Sequence, residues 1–127
     1  MIPEVEARRS RWSAAVLAKL EELTQLISQE TYGPEGPPVE LTWAEIEDLG
    51  HEFGRLAATE VDQTIQRQHA EKFDRQHGCP QCGRLCRPGV KSRALETRDG
   101  PAELAEPACY CNACERSFFP AARPLAP

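Results

Sequence analysis

Apolar residues stand at Trp12, Val16, Leu20, Leu23 and Ile27, at spacings of four, four, three and four, which is one stripe along an α-helix. Pro3 suits the first turn of such a helix, and the pattern predicts one from near Pro3 to about Glu30. The run Tyr32-Gly-Pro-Glu-Gly-Pro-Pro38 ends it in a loop. A second stripe, Ile46, Leu49, Phe53 and Leu56, drifts to Val61 and Ile65. It follows Thr42-Trp-Ala-Glu45, a capping box in which hydroxyl and carboxylate each satisfy a free backbone N–H. This second helix is expected to continue to about His77, where Gly78 offers a C-terminal cap and Lys72 and Arg75 suit the dipole. At about 1.5 Å per residue it would span roughly 50 Å and project whatever follows away from its base.

Two amphipathic helices joined by a short loop predict an antiparallel hairpin. The stripe residues, Trp12 and Trp43 included, are expected in its core. A hairpin buries only one side of each stripe and leaves Leu17 and Leu26 needing a cover. Self-association as a homodimer through the helices is the expectation, with a third element supplied by a longer chain as the alternative.

After residue 77 the helical period gives way to strand signals. Arg93-Ala-Leu-Glu-Thr97 and Ala102-Glu-Leu104 flank Arg98-Asp99-Gly100-Pro101, in which Asp-Gly supplies a hairpin turn. Ala108-Cys-Tyr-Cys111 reads as a third strand, and Phe118-Phe119-Pro120 packs against the sheet or ends it. At the borders of this stretch stand Cys79-Pro-Gln-Cys82-Gly and Cys111-Asn-Ala-Cys114. Two C-x-x-C turns can each offer two sulfurs to one tetrahedral ion, so Cys79, Cys82, Cys111 and Cys114 are the expected ligands of a Zn²⁺ in a zinc ribbon. Gly83 permits the positive φ that turns the first knuckle, whereas the second carries Glu115 at that place. A redox dithiol would need a βαβ setting, and Arg, Pro and Gly follow Cys82 instead. Cys86 and Cys109 are left over, either as buried small hydrophobes or as alternate ligands beside the metal. His77 is either a substitute ligand or a cap on the preceding helix.

The fold class is thus α+β: a helical hairpin with a long second helix over residues 1–77, then a small β zinc ribbon with a C-terminal tail over 78–127. About 40 ribbon residues are too few for a self-sufficient core, so metal binding is expected to supply the folding free energy. Of the 127 residues 28% are charged, and no apolar run approaches the roughly 18 residues of a membrane span. Met1-Ile2-Pro3-Glu4 opens without a basic start or apolar segment of a secretory signal, so the thiols are expected reduced, in the cytoplasm.

Charge divides the chain at the same place. Residues 1–74 hold 7 Lys and Arg against 15 Asp and Glu, net −8; residues 75–127 hold 8 against 5, net +3. Four thiolates and one Zn²⁺ would lower the second value by 2. A nucleic-acid surface there must therefore be a local patch, and Arg84, Arg87, Lys91, Arg93 and Arg98, opposed only by Glu96, form the candidate. An ordinary solvated surface is the competing reading. Glu45, Glu47, Asp48 and Glu52 have the spacing of a solvated helix face, and His51-Glu52 lacks the second histidine of H-E-x-x-H. No catalytic set is expected in this chain.

The runs Cys79-Pro-Gln-Cys-Gly-Arg-Leu-Cys86, Lys91-Ser-Arg-Ala-Leu-Glu-Thr-Arg-Asp-Gly-Pro101, Glu106-Pro-Ala-Cys-Tyr-Cys-Asn-Ala-Cys114 and Ser117-Phe-Phe-Pro120 resemble the N-terminal zinc-binding region of bacterial ISKra-type insertion-sequence transposases. The resemblance covers about 45 residues densely, and the preceding helices fit loosely. It implies that the cysteine pairs bind zinc and that the region recognises the element's DNA ends, its terminal repeats, with the protein on the bacterial nucleoid. The family's RNase-H-like catalytic core would begin after Phe119-Pro120, so the resemblance implies the DNA-binding portion of a transposase without its catalytic core. A zinc-ribbon protein adaptor, or an antitoxin-like regulator, is the alternative from another class.

Overall fold

A computed structural model of the protein describes residues 1–120. It is α+β: three helices, α1 (Pro3–Ser10), α2 (Ala14–Tyr32) and α3 (Trp43–Glu71), precede five short or medium strands. These are β1 (His77–Gly78), β2 (Leu85–Cys86), β3 (Pro88–Thr97), β4 (Gly100–Cys111) and β5 (Arg116–Phe118). Two compact units are distinguishable, Met1–Ile46 and Glu47–Pro127. The boundary expected after residue 77 falls inside the second unit, and the tail from 121 on lies outside the described residues.

The first expected helix is two. Ser13 adopts an extended backbone and its hydroxyl accepts from the Val16 N–H at 3.3 Å, so it caps α2 and interrupts the stripe at Trp12. α2 ends where expected: Gly33 takes φ 87° and its N–H returns to the Gln29 carbonyl at 2.8 Å. Thr42 supplies the hydroxyl half of the capping box, accepting from the Glu45 N–H at 3.2 Å. α3 stops at Glu71, short of His77, and Gly78 is no helix cap: it lies in β1, paired with Leu85. Between the two, His69, Phe73 and His77 form a ladder of rings with centroids 5.3 and 5.8 Å apart.

Most of the stripe residues are exposed. Trp12 is 49% and Trp43 72% exposed, and Val16, Leu20, Leu23, Leu26, Ile46, Leu56, Val61 and Ile65 are exposed as well. Only Leu17, Ile27, Leu49 and Phe53 reach half-burial. An amphipathic face is covered only when another apolar face lies against it, and periodicity says nothing of whether one chain supplies that face.

In the second unit β3 and β4 form a long antiparallel hairpin, from Pro88↔Cys109 to Thr97↔Gly100. Its two-residue loop is Arg98-Asp99, with Gly100 at φ 108° and the Thr97 hydroxyl donating to the Gly100 carbonyl at 2.8 Å. Ala108–Cys111 is the end of β4 rather than a separate strand; the third strand is β5, beyond the second knuckle. β5 covers only Cys109 to Cys111 of the outer edge of β4. Farther along that edge, α3 takes over: Gln63 accepts from the Glu103 N–H at 2.9 Å, and Gln66 accepts from the Ala105 N–H at 2.9 Å while donating to the Ala105 carbonyl. α3, about 44 Å long from its 29 residues, therefore does not hold the ribbon at arm's length; its second half is bonded to the sheet.

Candidate metal centre

Each cysteine pair sits in a tight turn between two paired strands. In the first, β1 and β2 bring the chain back on itself, the Gly83 N–H donates to the Cys79 carbonyl at 2.8 Å and the Cys79 N–H to the Arg84 carbonyl at 2.9 Å. Gly83 takes φ 74° there, which glycine adopts at little cost. In the second, β4 and β5 flank Cys111–Cys114, and the residue after the last cysteine again turns left-handed: Glu115, at φ 54°. The two knuckles thus share one backbone course, with glycine in one and a Cβ-bearing residue in the other. Relief of the second should be measurable. Glu115→Gly is expected to stabilise the metal-loaded protein by about 1 kcal/mol in thermal or denaturant unfolding, while Glu115→Ala, which keeps the Cβ, gains nothing comparable.

The four sulfurs of Cys79, Cys82, Cys111 and Cys114 all lie within 4.8 Å of one another, a group that could hold a metal ion. Cys79 Sγ stands 3.8 Å from Cys114 Sγ, and Cys82 Sγ 3.6 Å from Cys111 Sγ. Cys111 and Cys79 are buried, Cys114 half-buried and Cys82 exposed, so one side of the group opens to solvent. The backbone N–H of Cys114 holds the Cys111 thiol down at about 6. Backbone N–H groups of Cys82 and Gln81 lower Cys79 as well. Hydrogen bonding with Cys82 and desolvation push Cys114 up to about 12. Backbone N–H groups thus favour the anionic form of Cys111 and Cys79, the form that ligates metal, and a cation entering the cluster displaces the thiol protons that remain.

Cys86 and Cys109 lie outside this four-sulfur group but pack against it with Phe118. The Cys86 thiol donates to the Arg84 carbonyl at 3.4 Å and that of Cys109 to the Cys86 carbonyl at 3.8 Å. Desolvation raises both thiols, which suits small buried side chains. His77 is also outside the group; its Nε2 lies 3.4 Å from the Phe73 carbonyl, just past the end of α3.

The five cations expected to form one patch separate into three places. Arg93 Nε lies 3.3 Å from a Glu106 carboxylate oxygen, and Lys91 is the register partner of Glu106. Glu96 is therefore not their only opponent: strand pairing brings in an acid thirteen residues away in sequence from Arg93. Arg98 occupies the hairpin loop beside Asp99. Arg84 and Arg87 share a concavity with Tyr110 and Asn112, two residues that sequence reasoning passed over. The signal was present, since in Cys109-Tyr-Cys111 strand alternation sends the tyrosine to the face opposite the cysteines. On α3, Glu47 and His51 form an exposed pair at 3.7 Å.

No described helix is long and apolar enough to cross a membrane. Comparison of the chain with protein-family models, with curated proteins and with solved structures finds no match.

Proposed function

We propose that this chain is a zinc-ribbon DNA-binding region of an insertion-sequence transposase, recognising the terminal repeats of its element, and that its own residues bind DNA rather than catalyse. The observation that carries the metal reading is the sulfur spacing. Four sulfurs about 2.3 Å from one tetrahedral Zn²⁺ stand about 3.8 Å from each other. The separations of 3.8 and 3.6 Å between Cys79 and Cys114 and between Cys82 and Cys111 agree with that figure. DNA binding is supported by Arg84 and Arg87, which lie beside the metal turns and enter no ion pair among the described residues. The place in transposition rests on the resemblance of the cysteine turns and the Lys91–Pro101 run to the ISKra-type transposases. Thiolate ligands need a reducing compartment, so the protein belongs in the bacterial cytoplasm, on the nucleoid when bound.

The exposed stripes of α2 and α3 support association of a second copy through the helices, and they also favour the other reading, a zinc-ribbon adaptor whose helices dock a protein. One titration separates the two. Zinc-loaded protein is expected to sediment as a dimer and to bind labelled terminal-repeat DNA in fluorescence anisotropy more tightly than scrambled DNA, and Cys111→Ser protein to lose that preference. Absence of binding to either DNA at low salt would sink the DNA-binding reading and leave the adaptor; a monomer would remove the helical dimer.

A further inference from the structure

The concavity shared by Arg84, Leu85, Cys86, Arg87, Tyr110 and Asn112 has a volume of about 410 Å³ and no carboxylate in its lining. Tyr110 is 52% exposed, although its neighbours Cys109 and Cys111 are 1% and 0% exposed. The ring is therefore no part of the core. Ser117 is its register partner on one side. On the other, Arg87 immediately precedes Pro88, which pairs with Cys109, and lines the same concavity as Tyr110.

A bare phosphate site would need the guanidiniums alone, and an apolar docking site would not carry two of them. Arginines, an exposed aromatic face and a carboxamide together match the parts of a nucleotide. Guanidinium forks take phosphate oxygens, the ring stacks a base, and Asn112 offers both a donor and an acceptor to a base edge. In a duplex both faces of an internal base are already covered by its neighbours. Only an unpaired base can lie on Tyr110. We propose that this concavity binds an unpaired nucleotide of a DNA strand, with the base on Tyr110 and the flanking phosphates on Arg84 and Arg87. The proposal rests on the DNA-binding reading above and specifies the state of the strand.

The two cysteine turns position Arg84, Tyr110 and Asn112. The Arg84 carbonyl accepts from the Cys79 N–H at 2.9 Å and from the Cys86 thiol at 3.4 Å, so the first knuckle fixes the backbone of Arg84. Asn112 lies inside the second knuckle, directly after Cys111, and Tyr110 directly before it. The site exists only when both turns are held together.

The test is anisotropy of the metal-loaded full chain on an oligo(dT) of about fifteen nucleotides, which cannot pair with itself, and on a duplex of equal length. Wild-type protein is expected to prefer the single strand; Tyr110→Leu should weaken that binding about tenfold and Tyr110→Phe should leave it within about twofold. Metal content of each variant reports folding. Should Tyr110→Leu lose its metal, Arg84→Ala and Arg87→Ala, on an outer surface, carry the test, and unchanged single-strand binding in both overturns the proposal. Duplex binding as tight as single-strand binding and indifferent to Tyr110→Leu leaves DNA binding standing and removes this site. Equal losses in Tyr110→Leu and Tyr110→Phe remove the stacked base. No binding to either DNA removes both readings together.

Discussion

Chelation of the metal, or Cys111→Ser, is expected to unfold the sheet region while α2 keeps its helical signal. The buried residues of the described chain include Cys79, Cys86, Cys109 and Cys111, with Ala70, Ala102 and Pro107 beside them, and the largest fully buried side chains are cysteines. Among the described residues no bulky apolar side chain of β1 to β5 is fully buried; Leu104 and Phe118 reach only half-burial. Structural zinc in comparable peptides is worth on the order of 10 to 16 kcal/mol, which exceeds what these few small side chains can supply. Amide exchange across Gly78–Phe118 should therefore lose its protection on chelation and regain it when a thiophilic divalent ion such as Zn²⁺ is supplied. A sheet that stays protected without metal would show that the ribbon does not need the ion. Acid should act in the same direction. Cys111, held at about 6 against an ordinary 9.0, takes up its proton as pH falls through about 6, and that proton must be displaced before an ion can bind. Protons also compete directly with metal for the four sulfurs.

Gln66→Ala is expected to cost about 2 kcal/mol in urea unfolding of the metal-loaded protein, because both the N–H and the carbonyl of Ala105 lose their partner at once. These groups are only part-buried, so water recovers a share of the loss. Gln66→Glu keeps an acceptor for the Ala105 N–H but places a carboxylate against the Ala105 carbonyl, and should also destabilise. The Ala105 amide is the local reporter: faster exchange there in Gln66→Ala than in wild-type protein is the expected signature. Unchanged stability and unchanged exchange would mean that the edge of β4 does not depend on α3.

The cysteine turns, the Gly33 stop, the Thr42 cap and the Asp99-Gly100 turn were legible because each is local. A positive φ, a capping hydroxyl or a C-x-x-C pair is decided within a few residues. The α+β order followed from the change of period near residue 77. Ser13 was locally readable too, but an uninterrupted stripe through Trp12 overrode it, although the stripe survives a break when both helices keep similar phase. Gln63 and Gln66 carried no such signal: glutamine on a helix reads as solvated, and only the meeting with β4, about forty residues on, gives it a role. The same holds for Arg93. Its neutralisation by Glu106 depends on strand register, which composition along the chain does not contain. The separate third strand expected at Ala108–Cys111 is likewise the end of one strand that runs unbroken from Gly100 to Cys111, through Pro101 and Pro107.

The placement of the hairpin loop sets what the ribbon can tolerate over evolutionary change. Ten residues of β3 at about 3.3 Å each put Arg98-Asp99 roughly 30 Å along the hairpin from the end nearest the metal. Glu103, near that loop, is bonded to Gln63 of α3, whereas the cysteine turns lie at the other end of the hairpin. Residues can be gained or lost there in matched pairs, one from each strand, and every remaining side chain keeps its face. An unmatched single residue would invert the alternation along one strand and exchange Arg93 for Ser92 or Ala94 opposite Leu104. The hairpin is thus free to change its reach in even steps while the metal end stays constant.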